Sequence, residues 1–111
     1  MVEINIDNFE NYLSEDEKIL PDFYGGEVYS FKGKIISMQC GKGDSMKIRL
    51  TDFPKKCRDL VCYPSEGRTT KDFDDFYGKE VAVKALVERK SFYQKPKLHL
   101  QEIDLFQSNL V

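Results

Sequence analysis

The sequence has no tryptophan and a single histidine, His99. One imidazole excludes a two-His metal site and leaves any His-dependent triad with one candidate. Long apolar runs are also missing. The longest is Leu60-Val61-Cys62-Tyr63, too short to span a bilayer as a helix, so no membrane partner is expected. The opening residues, MVEINIDNFE, are acidic and lack a basic stretch followed by an apolar one, so no secretion signal is expected. Cysteine is sparse and odd in number (Cys40, Cys57, Cys62), which argues against a disulfide framework and for a reducing compartment. The expectation is a cytoplasmic protein.

What is present suits one small domain. The 111 residues are 41% hydrophobic and 32% charged, with eight Phe and six Tyr, which supports one modest core and excludes a disordered or collagen-like chain. The net charge of −2 conceals an asymmetry. Residues 1–27 hold eight carboxylates and one cation, Lys18, for a balance of −7; the remaining 84 residues balance at +5. An acidic leader therefore precedes a basic body, and a basic body attracts polyanions. Charged strand faces are also ordinary solvated surface, so composition alone does not decide between the two.

The leader, residues 1–26, has two capping patterns, Asp7-x-x-Glu10 and Ser14-x-x-Glu17, with Phe9, Tyr12 and Leu13 on one face. A short amphipathic helix is expected there, ended by Pro21, with a turn at Tyr24-Gly25-Gly26. From residue 27 the period becomes that of strands. Tyr29, Phe31 and Ile35 share one parity while Ile36 and Met38 share the other, which predicts a bulge or glycine bend between Gly33 and Ile36. After a loop at Gly41-Lys42-Gly43-Asp44, a second strand turns Met46, Ile48 and Leu50 inward and Lys47, Arg49 and Thr51 outward. Pro54-Lys55-Lys56 interrupts, and Leu60-Val61-Cys62-Tyr63 forms a short third strand.

A helix is expected from Thr69, whose cap partner is Asp72, with Phe73, Phe76 and Tyr77 on its apolar face and Gly78 as its stop. Residues 80–87 alternate as a fourth strand and residues 97–101 as a fifth, beyond which Ile103, Leu105 and Phe106 continue in shifted phase. The fold class is therefore all-β with one internal helix, in the order β-β-β-α-β-β. Five short strands protect their edges best by closing into a barrel.

These residues resemble the OB (oligonucleotide/oligosaccharide-binding) fold. The resemblance is carried by Phe31-Lys32-Gly33-Lys34-Ile35-Ile36-Ser37-Met38, by Lys47-Ile48-Arg49-Leu50-Thr51-Asp52, by Gly78-Lys79-Glu80-Val81-Ala82-Val83-Lys84-Ala85, and by residues 98–105. It covers residues 27–106 and implies a five-stranded OB-type barrel over 27–111. The rival, an SH3-like barrel, has no helix between its third and fourth strands.

Catalytic readings find little to build on. The alternation Leu98-His99-Leu100 places His99 outward, as an ordinary surface histidine. Nuclease-type barrels need an acidic cluster, and the loop at 41–45 offers Asp44 alone. Cys40, Cys57, Cys62 and His99 lack zinc-knuckle spacing; Cys62 fits the core better, with Cys40 and Cys57 in loops. The glycines of 41–45 lead into a strand rather than a helix, so they do not make a phosphate loop. No cofactor and no catalytic residue is expected.

The OB resemblance implies a binding face on the second and third strands, framed by the loops joining strands one to two and four to five. Single-strand binders combine cations for phosphates with aromatic faces for bases. Lys47 and Arg49 are the expected phosphate contacts, and Lys34, Lys42, Lys90, Lys95 and Lys97 line the path. Phe92 and Tyr93 are expected to stack, with Tyr63 a further candidate; each ring could instead plug the barrel. The expected function is non-catalytic binding of single-stranded DNA or RNA, DNA in the first place, in an accessory role to a replication or repair enzyme. The alternative is a protein-interaction OB module, an accessory subunit of a polymerase, primase or helicase, docking through residues 1–26.

Overall fold

The phase change in the first long strand turns out to be the corner of the architecture. A computed structural model describes residues 1–5, 7–9, 12, 23–39, 43–51, 59–64, 67–91 and 96–106. Its elements are β1 (Val2–Glu3), β2 (Val28–Gln39), β3 (Ser45–Leu50), β4 (Asp59–Tyr63), a 3₁₀ helix (Thr70–Phe76), β5 (Glu80–Glu88) and β6 (Lys97–Leu105). The first half of β2 pairs with β5 and the second half with β3, and Gly33 and Lys34 pair with both. The register slips between Ile35 and Ser37, which leaves Ile36 as the extra residue and turns Met38 inward opposite Met46.

Strand pairings run β2–β3–β4–β6–β5 and return to β2, so the sheet closes on itself. All these pairings are antiparallel except the short parallel seam between β4 and β6, Cys62 with Leu98 and Tyr63 with His99. The expected order and helix position are met. Gly33 is needed at the corner because a Cβ there would lie 2.5 Å from the Arg49 carbonyl oxygen and 2.7 Å from Ile48 Cγ2.

Alternation fills the interior as expected. Tyr29, Phe31, Ile35, Met46, Ile48, Leu50 and Cys62 are all buried, together with Val81, Val83, Val87, Leu98 and Leu100 from the last two strands. Burial pushes the Cys62 thiol up from its ordinary 9.0 to about 12. The last strand runs on to Leu105 rather than ending at Gln101. Lys84 faces Glu102 while Ala85 faces Leu100, so Gln101 is an extra bulged residue and accounts for the shifted phase of Ile103 and Leu105.

The leader joins the fold at its described positions. β1 lies parallel to β2, and Ile4 and Phe23 belong to the core. Tyr12, Phe23 and Tyr29 form a ring cluster with centroids 5.0–5.5 Å apart. The buried Tyr29 hydroxyl accepts the Tyr24 N–H at 3.0 Å. The turn near Asp7 begins at Asn5, whose side-chain oxygen accepts the Asp7 N–H at 3.0 Å. The remaining expected caps, Leu13 and Pro21 lie outside the described residues.

The internal helix is 3₁₀ rather than α. With three residues per turn, Phe73 and Phe76 both lie on the inner side, and Tyr77 rotates outward to 52% exposure. Tyr77 is therefore not part of the apolar face expected for it; its hydroxyl donates to the carbonyl of the bulged Ile36 at 3.1 Å. Gly78 has φ +76°, as its role as a stop requires. Among the described residues no helix is long and apolar enough to cross a membrane.

Candidate nucleic-acid interface

Outward residues of β2, β3, β4 and β6 fall into three cross-strand rows. The first reads Glu80, Lys34, Arg49, Asp59 across β5, β2, β3 and β4. Arg49 grips Asp59 with Nε 3.0 Å from Oδ1 and Nη2 3.4 Å from Oδ2. At the other end the Thr51 hydroxyl donates to the Glu80 carboxylate at 3.2 Å. Two cations thus stand between two carboxylates, and Arg49 enters the site as half of an ion pair rather than as a free phosphate ligand.

The second row is Ser37, Lys47 and Val61. Lys47 and Val61 are exposed, Val61 by 40%, and Lys47 makes no ion pair among the described residues. In the third row Tyr63 of β4 lies beside His99 of β6, with ring centroids 6.2 Å apart. Lys97 Nζ stands 5.9 Å from the Tyr63 centroid, at the outer reach of a cation–π contact. His99 Nε2 is 2.9 Å from Glu88 Oε2. Val61 and Tyr63 are two residues apart on one strand and so share a face, about 7 Å apart. Lys47, Val61, Tyr63, His99 and Lys97 therefore form one continuous wall.

Of the expected residues, Lys34, Lys47, Arg49, Tyr63 and Lys97 are brought to this wall. Lys90 is exposed just after β5, at the root of the connection to β6. Lys42, Phe92, Tyr93 and Lys95 lie outside the described residues. For His99 the sequence predicts only a surface position. Alternation gave its outward direction, but its place beside Tyr63 follows from a parallel pairing that no local pattern reveals.

The opposite wall, built by the first half of β2 with β5 and β6, differs in chemistry. Ser30, Lys32, Ala82, Lys84, Glu102 and Asp104 line a cleft of about 210 Å³ there. Lys84 pairs with Glu102 at 3.3 Å, and Lys32 Nζ sits 4.3 Å from the Phe106 ring centroid. Among the described residues no group of three or more His, Cys, Asp and Glu side chains is placed to hold a metal ion.

No protein-family model matches the chain, and no curated protein matches it. Among solved structures it is similar to Rim1, the mitochondrial single-stranded DNA binding protein of S. cerevisiae, in two crystal forms. One gives a TM-score of 0.61 at 15% identity, over 78% of this chain and 100% of that one. The other gives 0.52 at 15% identity, over 76% and 99%. With the strand circuit, the parallel β4–β6 seam and the helix before β5, the fold is of the OB type.

Proposed function

We propose that this chain is a non-catalytic single-stranded nucleic-acid-binding protein, with DNA its preferred ligand, serving as an accessory factor of a replication or repair enzyme. The carrying observation is the half-buried Tyr63 ring on the β3–β4–β6 wall, with Lys97 beside it and Lys47 one cross-strand row away. A base stacked on one ring contributes about 1–3 kcal/mol, and each phosphate contact adds a salt-dependent increment. One ring and a few cations suit a short strand held at modest affinity. Likeness in fold to a single-stranded DNA binding protein supports this use of the wall.

Fluorescence anisotropy with a labelled oligothymidine at low and moderate salt tests the reading. Binding that weakens with salt and with Tyr63→Ala supports it; no binding at either salt overturns it.

The second reading, a protein-interaction module on a polymerase, primase or helicase, draws on Tyr24, which is 62% exposed although it follows the buried Phe23. Deleting the leader would remove Ile4 and Phe23 from the core, so Tyr24→Ser is the cleaner variant. Loss of a co-purifying protein on that change, with oligonucleotide binding intact, favours the second reading.

A further inference from the structure

His99 is the lone imidazole of the chain and stands within the proposed binding wall. Its surroundings are of three kinds. Tyr63 faces it from β4, with the rings tilted at 42°. Glu88 faces it from β5 at 2.9 Å, and the uncharged Leu86 is its direct cross-strand neighbour. Lys97, two residues earlier on β6, reaches over the Tyr63 ring and pairs across the strands with Glu88. The His99 side chain is 33% exposed and that of Glu88 is 47% exposed; the Nε2 atom itself is covered and makes no well-aligned hydrogen bond, so the ring meets solvent and ligand through its other atoms.

A neutral His99 leaves the Glu88 carboxylate balanced only by Lys97, and the wall beside Tyr63 has no local excess of positive charge. Once protonated, His99 offsets Glu88, and Lys97 becomes a surplus cation. A protonated imidazole also has two N–H donors, so one can hold the Glu88 carboxylate while the other is offered to a second acceptor. The acceptor that suits this position is a phosphodiester oxygen next to a base stacked on Tyr63.

We propose that His99 is a phosphate-binding residue that works in its protonated form, so that nucleic-acid binding at this wall takes up a proton while Glu88 stands at the ring's Nε2. This rests on the nucleic-acid reading of the wall. Linkage then requires the reverse effect: bound oligonucleotide must favour the protonated ring.

The experiment is a binding titration of the full chain with oligothymidine at about pH 8 and about pH 5.5, on either side of the ordinary imidazole range. Binding about fivefold tighter at the lower pH is expected, the size of one added phosphate contact. His99→Gln should flatten this dependence, and Glu88→Gln should tighten binding at the higher pH by removing a repelling carboxylate. In the unmodified protein the single histidine ring signal, followed by proton NMR, should titrate at higher pH when oligonucleotide is present.

Binding that is independent of pH, with a ring signal that ignores the ligand, overturns the inference while leaving the proposed function intact. Absence of binding at both pH values overturns the function and the inference together.

Discussion

The two walls of the sheet both carry cations and use them differently. On the β2–β5–β6 side, Lys84 is neutralised by Glu102, and Lys32 Nζ lies 4.3 Å from the Phe106 ring centroid. On the β3–β4–β6 side, Lys47 has Ser37 and Val61 as neighbours, and Lys97 leans over Tyr63. The cross-strand neighbours of Lys47 and Lys84 set the walls apart. A cation beside a carboxylate is largely spent locally, whereas one flanked by a small polar and an apolar residue, as Lys47 is, keeps its field for a ligand.

Gly33 belongs to both walls, pairing with Leu50 on one and Val81 on the other. Gly33→Ala should therefore erase the difference by damaging both, lowering the unfolding free energy by about 2–3 kcal/mol in urea melts. Tyr63→Ala should damage one wall only. It should weaken oligonucleotide binding by about 1–2 kcal/mol, roughly five- to thirtyfold in Kd, with the urea midpoint little moved. Lys47→Ala should cost about threefold and lower the slope of log K against log salt by about one. Lys84→Ala, on the other wall, should change binding by less than about twofold. A double-mutant cycle of Lys84 with Glu102 should return about 0.2–1 kcal/mol, as exposed pairs do. A Lys84→Ala effect as large as that of Lys47→Ala would break the distinction between the walls.

Much of this arrangement was legible before any coordinates. Parity changes at Ile35-Ile36 and again after Gln101 record two bulges, because an inserted residue must swap the apolar face. Thr69 and Asp72 marked the helix start, and the Thr69 N–H does donate to Asp72 Oδ2 at 3.0 Å. The kind of helix was not legible. Apolar residues at i and i+3 satisfy both α and 3₁₀ geometry, and the outward turn of Tyr77, whose hydroxyl donates to the carbonyl of the bulged Ile36, depends on a distant strand. Outward placement of Lys47 and Arg49 followed from alternation; the pairing of Arg49 with Asp59 did not, since it depends on how β4 registers against β3. The same limit kept His99 from view as a neighbour of Tyr63.

The brevity of the β4–β6 seam makes Cys62 a clock. Among the described residues two pairs close the cylinder there, and Cys62 belongs to one of them, its thiol fully covered and resistant to ionisation. Alkylating reagents attack the thiolate, so modification must wait until the staves part. With Cys40 and Cys57 replaced by serine, the labelling rate of Cys62 would time how often the cylinder unlatches, and a bound strand bridging Tyr63 and His99 should slow it.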